Sequence, residues 1–445
     1  MEKRKLTKED LDKVRDIEGF PIGSDEDIIA LSDAPYYTAC PNPFIKEFID
    51  ENGTPYDEET DDYHCEPFTA DVSEGKNDPF YMAHSYHTKV PYKAIMKYIL
   101  HYTKPGDIVL DGFCGTGMTG IAAKMCSALD SAYKYEIEHE IPEVRWGERK
   151  AILSDISPIA TSISSGYNEH INVSEFQHRA QAILREAHKQ YDWMFETENE
   201  SDSSVKSKGH VNYFVWSNYG ICPYCGEEFI LYDMMWNPST KKMSEEFQCP
   251  RCKSIIRKID CDHAIETDID ELTGKVRQHK KSAPIIANYS IGKNRYEKRL
   301  DDSDYEILAK IKSISYMGLA PSNPMMNKGE NWGETWRSGC HFGITNVNHF
   351  YHKRTLLVLE YLYSQCKDNT RLLFWFTSCL PKLNIMNRYM PQHGSRALVG
   401  PMSGTLYVAP ISVENNVFDT FEFQLQQFTA FKPLAHRPKP RLARL

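Results

Sequence analysis

The hydrophobic positions in the first half of the chain follow helical and strand-like patterns in turn. Apolar side chains recur at i, i+4 between Pro91 and Tyr102, which predicts a helix, and Pro105-Gly106 ends it. The wholly apolar run Ile108-Val109-Leu110 is typical of a buried parallel strand. A glycine-rich loop, a helix near residues 117–129 and a second strand at Ala151–Ser154 follow. This strand–helix–strand order predicts a βαβ unit and an α/β fold.

The pattern changes after residue 170. Apolar residues between Ser174 and Phe195 share one helical face, and the polar stretch 197–209 has the composition of a linker. Further helices are predicted at residues 304–316 and 346–366. Leu372–Phe376 is a short apolar run, which we interpret as another buried strand.

Composition places the chain among globular proteins. It has 445 residues, of which 41% are hydrophobic and 26% charged, enough for roughly two to four domains. No apolar run is long enough to span a bilayer, and the residues after Met1 are charged rather than apolar. These features predict a cytoplasmic protein without a membrane segment, whose cysteines stay reduced.

The net charge of −10 argues at first against a nucleic-acid partner, but the charge is unevenly distributed. Residues 1–80 contain 22 acidic and eight basic side chains, whereas the remaining residues contain 40 acidic and 44 basic ones. We interpret residues 1–80 as an acidic arm that wraps a larger body, with a solvated acidic extension as the alternative. The body itself is nearly neutral, so a nucleic-acid partner stays open.

The glycine-rich loop after the first predicted strand is the main candidate for ligand binding. Gly115–Gly120 fits the G-x-G-x-x-G pattern of dinucleotide sites, but Asp111 directly precedes it and no phosphate-loop lysine follows. A carboxylate at this turn repels a pyrophosphate and attracts an ammonium group or a ribose hydroxyl. Asp155 ends the second predicted strand, where an acid can accept hydrogen bonds from ribose hydroxyls. The pair favours S-adenosyl-L-methionine over NAD or ATP, although either acid alone could be a helix cap.

Three segments carry a resemblance to a known family. Asp111–Thr119 resembles the D-P-F-x-G-[ST]-G-x-T motif of DNA amino-methyltransferases, with Gly112 where the family has proline. Asp155–Ala160 resembles the D-[IL]-S-P-x-A segment of that family, and His84–Pro91 resembles its H-x-x-K-x-P stretch. For His87 and Lys89 the alternative is an ordinary polar loop. The resemblance implies that the cofactor is bound by Asp111, Gly112, Phe113, Gly115, Thr116, Gly117, Asp155, Ile156, His87 and Lys89.

Two paired cysteine knuckles predict a metal site. Cys222-Pro-Tyr-Cys225 and Cys249-Pro-Arg-Cys252 are separated by a spacing typical of zinc ribbons, in which four thiolates surround one Zn²⁺ ion. Such a site is structural, because no coordination position stays open for a substrate. Redox-active or free thiols are the alternative, and they would not need two such pairs.

With this ribbon, most of the chain resembles bacterial adenine-specific DNA methylases that contain a zinc ribbon. Trp336–Thr345, His352-Lys353-Arg354 and, more weakly, Ser403–Tyr407 also resemble that family. The resemblance implies a Rossmann-like S-adenosylmethionine-dependent methyltransferase fold with an inserted zinc ribbon. The domains expected are an acidic arm (1–80), the cofactor-binding half of the methyltransferase domain (81–200), the zinc ribbon (210–265), and the remaining methyltransferase and DNA-recognition region (266–445).

One motif of the resembled family is missing. Amino-methyltransferases use a [DNS]-P-P-[YFW] tetrapeptide to hold the flipped target base, and no Pro-Pro occurs in this sequence. The nearest substitute is Asp78-Pro79-Phe80-Tyr81, a weak catalytic candidate because no predicted strand leads into it. Asn323-Pro324-Met325-Met326 lacks the aromatic residue. We therefore expect a shortened chain, or one part of a split enzyme.

The resemblance implies a site-specific methyltransferase that acts on flipped bases of double-stranded DNA, at adenine N6 in preference to cytosine N4, within a bacterial restriction-modification or defence system. Two alternatives stay open at this stage. One is a catalytically incomplete module that binds cofactor and DNA and needs a partner subunit to supply the tetrapeptide. The other is an RNA methyltransferase. The only support for a nicotinamide-dependent oxidoreductase is the G-x-G-x-x-G pattern of Gly115–Gly120.

Overall fold

The computed structural model describes residues 4–35, 37–69, 78–127, 131–169, 172–199, 207–325 and 342–428, and the backbone of residues 443–444. The chain divides into two compact units. Unit 1 consists of Met1–Gln177, Thr370–Phe374 and Gln426–Leu445, and unit 2 consists of His178–Asn369 and Trp375–Leu425.

Unit 1 combines short helices with a small parallel sheet. Its helices are α1 (Lys8–Asp12), α2 (Asp25–Ala30), α3 (Ile45–Asn52), α4 (Pro79–Met82), α5 (Tyr92–Tyr102), α6 (Met118–Met125), α7 (Ser131–Glu140) and α8 (Pro158–Asn168), followed by the start of α9 (Val173–Tyr191). Its strands are β1 (Ile108–Asp111), β2 (Lys150–Leu153) and Ala443–Arg444, with β2 in the middle.

The predicted βαβ unit is confirmed. β1 and β2 pair in parallel, with Ile108 opposite Lys150 and Asp111 opposite Leu153, and α6 lies between them in the chain. The prediction of a buried first strand is wrong in part, because 65% of Leu110 is exposed. Among the described residues β1 pairs only with β2, so one of its edges has no neighbouring strand to cover Leu110.

The acidic arm contains a small apolar core of its own. Leu6, Leu11, Val14, Ile28, Ala34 and Cys40 form one buried cluster. Further along, Phe48 on α3 packs against Ile152 on β2, and Tyr37 hydrogen-bonds the Thr161 hydroxyl on α8 over 2.8 Å. These contacts join the described part of the arm to the βαβ unit, while the acidic run between residues 57 and 62 stays exposed.

Unit 2 is built around a larger sheet. Its strands are β3 (Glu196–Asn199), β4 (Ser207–Ile221), β5 (Glu228–Ile230), β6 (Trp236–Asn237), β7 (Lys242–Met243), β8 (Glu246–Gln248), β9 (Ile255–Arg257), β10 (Asp262–His263), β11 (Ile265–Ile269), β12 (Val276–Lys280), β13 (Ser282–Ile291), β14 (Asn294–Arg299), β15 (Arg388–Tyr389), β16 (Leu398–Val399) and β17 (Ile411–Asn415). The main sheet has the order β14-β13-β4-β17-β15-β16, and β3, β5 and β10 also pair with β4. Long β4 is therefore the central strand, antiparallel to both β13 and β17.

Helices and single turns complete unit 2. The helices are most of α9, then α10 (Leu231–Met235), α11 (Asp302–Lys312), α12 (Lys353–Cys366), the second half of α13 (Thr370–Cys379) and most of α14 (Val417–Gln427). The 3₁₀ turns are Asp192–Phe195, Lys258–Asp260, Val347–Phe350, Leu380–Lys382 and Pro391–Arg396. None of the helices in the described part of the chain combines the length and the apolar character that a bilayer crossing requires.

Several sequence-based element predictions are confirmed and two are wrong. The helices predicted before residue 103, after residue 173 and at residues 304–316 and 346–366 all exist. Of the predicted linker 197–209, residues 197–199 end β3 and residues 207–209 begin β4, so the prediction is wrong at both ends, while residues 200–206 lie outside the described part of the chain. Leu372–Phe376 lies in helix α13, not in a strand. Its apolar side chains are buried on most faces of the helix, and an apolar run of this length does not distinguish the two structures.

Candidate functional site

The turn between β1 and α6 is held in a conformation that depends on glycine. Gly115 has φ +52° and Gly117, the N-cap of α6, has φ +74°, values that residues with a Cβ rarely adopt. The Gly117 amide donates to the Cys114 carbonyl over 2.7 Å, which closes the turn tightly. The backbone at the start of α6 therefore faces the space above the carboxyl end of the sheet.

Asp111, at the end of β1, is fixed by two hydrogen bonds. Its carboxylate accepts from the Thr119 hydroxyl over 2.5 Å and from the Phe113 amide over 3.1 Å. Thr119 lies on the first turn of α6, so the two bonds join the strand end to the helix. The Asp111 carboxylate is thus held in a fixed orientation at the turn.

Asp155 brings the end of the second strand to the same turn. One carboxylate oxygen accepts from the Gly115 amide over 2.9 Å, and the other accepts from the Ser157 amide, also over 2.9 Å. The Cys114 amide donates to the Ser154 carbonyl over 2.8 Å. The two acids that the sequence singled out therefore lie on either side of one glycine turn.

Close packing of α8 against α6 explains two of the glycines. A Cβ at Gly117 would lie 2.2 Å from the Ser164 hydroxyl oxygen, and one at Gly120 would lie 2.2 Å from Asn168 Oδ1. Asn168 donates to the Gly117 carbonyl over 2.9 Å. Ser164 and Asn168 were not predicted, because nothing in their spacing relates them to the turn. At Gly112 a Cβ would meet no atom within 4 Å, so this glycine is not required by close packing of a neighbour against its Cα.

The segment before α5 contributes Tyr86 rather than Lys89 to the surroundings of the turn. A Cβ on Gly115 would lie 3.5 Å from Tyr86 Cε1, whereas His87 is exposed. Lys89 is 8% exposed, and its ammonium group donates to the Tyr81 and His84 carbonyls. Burial lowers the pKa of Lys89 to about 8. In this structure Lys89 therefore stabilises the segment from Tyr81 to Lys89 through hydrogen bonds within that segment.

The weak catalytic candidate Asp78-Pro79-Phe80-Tyr81 forms the beginning of helix α4. Asp78 is its N-cap and accepts from the Phe80 amide over 2.9 Å. Tyr81, whose ring would have to stack on a base, is partly buried, and the Lys89 ammonium group lies 4.3 Å from its ring centre. Phe80, which takes the place of the second proline, is 5% exposed and packs edge-on against Tyr92. The Phe80 carbonyl accepts from the Tyr167 hydroxyl over 2.7 Å. All four residues are engaged in local structure, so we assign no catalytic step to them.

Apolar side chains flank the turn on its exposed side. Phe113 is 89% exposed and Ile156 is 96% exposed, and each follows one of the two acids at a strand end. Leu110, near the end of β1, is exposed as well. A ligand with a flat, weakly polar part can bury these side chains while its polar atoms reach the acids.

The four predicted metal ligands form one cluster. The sulfur atoms of Cys222, Cys225, Cys249 and Cys252 all lie within 4.8 Å of one another, with Cys222–Cys252 and Cys225–Cys249 separations of 3.7 Å. Both knuckles have the same backbone, since Gly226 (φ +73°) and Lys253 (φ +62°) hold equivalent positions and donate to the carbonyls of Cys222 and Cys249. Four thiolates so placed could hold one metal ion.

Together the fold and the turn define an α/β unit in which a glycine turn, flanked by acids from two parallel strands, lies at the carboxyl edge of the sheet. Residues 27–144 match a family model, N6_N4_Mtase, described as DNA methylase. Over that stretch the chain resembles N6-adenine and N4-cytosine DNA methyltransferases. No curated protein and no solved structure matches the chain.

The match covers part of the candidate site. It includes the turn from Asp111 to Gly117 and the segment with His87 and Lys89, and it reaches back into the acidic arm. It does not extend to Asp155, to Ile156 or to the cysteine cluster. Trp336–His341, part of the later resemblance, lies outside the described residues. The match supports a DNA methyltransferase of the adenine N6 or cytosine N4 type.

Proposed function

We propose that this protein binds S-adenosyl-L-methionine at the β1–α6 turn and methylates an exocyclic amino group of DNA, at adenine N6 in preference to cytosine N4. The observation that carries the proposal is the glycine turn with Asp111 on one side and Asp155 on the other, within or next to the stretch that matches the DNA methylase family. The fold expected for this function is the Rossmann-like fold of methyltransferases. In this chain β1, α6 and β2 would form one of its βαβ units.

The bound cofactor would supply an electrophilic methyl group on a sulfonium ion. Asp111 supplies negative charge at the turn, which favours a cationic ligand. Asp155, already oriented by the Gly115 and Ser157 amides, retains lone pairs for ribose hydroxyls. Phe113 and Ile156 offer their exposed apolar surfaces to the flat part of the ligand.

We propose that Cys222, Cys225, Cys249 and Cys252 bind one structural Zn²⁺ ion. Four thiolates at roughly 2.3 Å from a tetrahedral zinc ion lie roughly 3.8 Å apart, close to the two 3.7 Å separations in this cluster. Apolar residues surround the sulfur atoms, among them Phe229, Leu231 and Ile256. The metal would then take the place of a larger hydrophobic core in this small module.

A second candidate function is favoured by the edge of β1 that pairs with no strand among the described residues. In this reading the chain binds the cofactor and needs a partner subunit that supplies the tetrapeptide for the target base. Two observations favour it: Asp78–Tyr81 are engaged in local contacts, and among the described residues β1 has a strand on one side only, with Leu110 exposed. Parallel strands are usually covered, so a strand of the partner could pair along this edge.

One assay separates the candidates. The full chain is incubated with methyl-labelled S-adenosylmethionine and either unmethylated genomic DNA or bulk RNA, with and without the product of the neighbouring gene. Label in DNA from the chain alone supports the self-sufficient enzyme, and label that requires the second protein supports the split one. Label that is found in RNA and not in DNA contradicts both candidates, because each of them methylates DNA.

Cofactor binding is tested separately by calorimetry with S-adenosylhomocysteine, which lacks the transferable methyl group. Asp111→Asn should lose most of the affinity, because the carboxylate is exchanged for a neutral amide of the same shape. Unchanged affinity in Asp111→Asn would contradict the assignment of the turn, whatever the methylation assay shows.

A further inference from the structure

A cleft of about 360 Å³ lies within unit 2, among residues that the proposed cofactor site does not use. Strands β15, β16 and β17 of the main sheet form its walls, together with helix α14 and the 3₁₀ turn Leu380–Lys382. This volume is in the range of small-molecule sites, so the cleft has room for a phosphate group with an attached sugar.

Two basic side chains line the cleft without an acidic partner. Lys382 is exposed and Arg388 is partly exposed. Within the described part of the chain neither forms an ion pair, and the Arg388 side chain donates only from Nε, to the Gly400 carbonyl over 3.2 Å. Neither side chain has a nitrogen atom that is both buried and without a partner. The Lys382 ammonium group and the two Nη atoms of Arg388 are therefore open to solvent and can reach a ligand.

The acid in the lining is already paired. Among the described residues that line the cleft, Asp419 is the only acidic one. Its carboxylate lies 2.9 Å from Nε2 of His210, and this hydrogen bond raises the pKa of His210. Because His210 offsets part of the Asp419 charge, the cleft keeps the positive charge of Lys382 and Arg388. This charge favours an anion as the ligand.

Exposed apolar side chains lie in the same cleft as the two cations. Phe423 on α14 and Leu398 on β16 are each 47% exposed. Lys382 Nζ lies 4.6 Å from the centre of the Phe423 ring, a cation–π contact that holds the ammonium group at the cleft. Apolar surface beside such cations suits a phosphate ester better than inorganic phosphate, because the organic part of the ester can cover Leu398 and the exposed part of Phe423.

A nucleic-acid strand presents this combination of groups, since each phosphate is joined to sugars. Many protein–DNA hydrogen bonds run from arginine, lysine and asparagine side chains to phosphate and sugar. We propose that the cleft binds a phosphodiester of a DNA strand, with Lys382 and Arg388 at the phosphate and with Leu398 and Phe423 against the adjoining sugar. The choice of DNA among phosphate esters rests on the proposed function.

Fluorescence anisotropy of a labelled DNA duplex with the full chain, measured over a range of salt concentrations, tests the inference. Lys382→Gln and Arg388→Gln should each weaken binding by about three- to tenfold at low salt, because one phosphate contact is lost. Each should also reduce the slope of log affinity against log salt concentration by about one. Leu398→Ser should weaken binding without a change in this slope, because it removes apolar surface and no charge.

Lys310→Gln is the matched control. Lys310 is also an exposed lysine above an aromatic ring, with Nζ 3.9 Å from the centre of Trp193, but it does not line the cleft. Its substitution should leave both the affinity and the salt slope unchanged. Thymidine monophosphate is a second probe, which distinguishes a free nucleotide from a strand. It should displace the labelled duplex only at much higher concentrations than unlabelled duplex does.

Three results would overturn the inference. The first is equal binding of the duplex by the wild type, Lys382→Gln and Arg388→Gln. The second is an equal loss in Lys310→Gln, which would show only the general effect of removing positive charge. The third is displacement of the duplex by thymidine monophosphate as readily as by unlabelled duplex, which would make the cleft a site for a free nucleotide.

A failure of this inference and a failure of the proposed function give different results. Calorimetry with S-adenosylhomocysteine should give the same affinity for the wild type, Lys382→Gln and Arg388→Gln, because the cofactor is assigned to the turn at Asp111. DNA binding that neither substitution changes would contradict this inference alone. A wild type that binds S-adenosylhomocysteine but no DNA would contradict the DNA substrate as well.

Discussion

At the scale of single residues, each of the two acids that we propose as ligand contacts is already engaged in the structure of the turn. Asp111 and Asp155 each accept two hydrogen bonds within the turn, so their carboxylates are held in place before any ligand arrives. Preorganisation of this kind reduces the entropy lost on binding. Both residues were identifiable in the sequence, but the Gly115 amide as a partner of Asp155 was not.

The role of Asp155 can be tested by a substitution that keeps its shape. Asp155→Asn should weaken S-adenosylhomocysteine binding by about tenfold or more, because charge-assisted hydrogen bonds to ribose become neutral ones. Asp107→Asn is the matched control, at an exposed aspartate before the start of β1. Calorimetry measures both, and equal affinities in the two variants would remove Asp155 from the ligand site.

His84 makes the stability of unit 1 depend on pH. Its ring is buried against Phe374, and desolvation lowers the pKa to about 4. The unfolded state then binds more protons between pH 4 and 6.5, so the free energy of unfolding falls as the pH falls through that window. From pH 7 to pH 5 the loss should be roughly 1–2 kcal/mol.

Urea unfolding of wild type and His84→Phe at both pH values measures this contribution. The variant keeps a ring against Phe374 but does not titrate, so titrations that the two proteins share cancel in the difference. Lys89, the charged neighbour, stays protonated throughout this pH range. If both proteins lose the same stability on acidification, the neutral buried state assigned to His84 is wrong.

At the scale of elements, the sequence located the βαβ unit but misjudged two apolar runs. Ile108–Leu110 does form a strand, yet Leu110 is exposed, and among the described residues β1 pairs with β2 alone. Leu372–Phe376 lies in a helix and not in a strand. The apolar pattern alone does not distinguish the two, because the outcome depends on the residues that pack around the segment. One run therefore predicted the strand but not the burial, and the other predicted the burial but not the helix, so a short apolar run alone determines neither.

The packing of α6 on α8 leads to a prediction about two glycines. Gly120→Ala should reduce the free energy of unfolding by roughly 1–3 kcal/mol, because the added Cβ would overlap Asn168 and Leu153. Gly112→Ala, where the Cβ would meet no atom within 4 Å, should change it by less than about 0.5 kcal/mol. Chemical denaturation tests both, and similar effects of the two changes would contradict the packing.

The cysteine module yields a prediction about metal content. The wild type should contain one zinc ion per chain by mass spectrometry, and Cys249→Ser should lose most of it, since one of four thiolates is gone. Cys261→Ser is the matched control, because Cys261 lies beside the cluster but is not one of its four members. A wild-type zinc content well below one per chain would refute the site.

At the scale of the whole molecule, the charge of the arm should oppose DNA binding. The acids between residues 57 and 62 are exposed, so their field reaches a polyanion in solution. Replacing Asp57, Glu58, Glu59, Asp61 and Asp62 by the corresponding amides should strengthen DNA binding severalfold at low salt. At high salt the gain should disappear, because screening removes the repulsion.

Fluorescence anisotropy with a labelled duplex, at low and at high salt, measures this difference. The matched control exchanges five exposed lysines of the chain for glutamine, which should weaken binding instead. A gain that persists at high salt would indicate a structural change in the arm rather than relief of repulsion.

The sequence by itself determined the local features of this protein: the glycine turn, the two acids at strand ends and the four cysteines, because spacing along the chain dictates their chemistry. Only the tertiary structure decided that Leu110 on β1 is exposed, that Phe80 is buried, and that Arg354, His352 and Asn348 line one cavity. Those facts depend on contacts between residues far apart in the chain, which a pattern of neighbours does not contain.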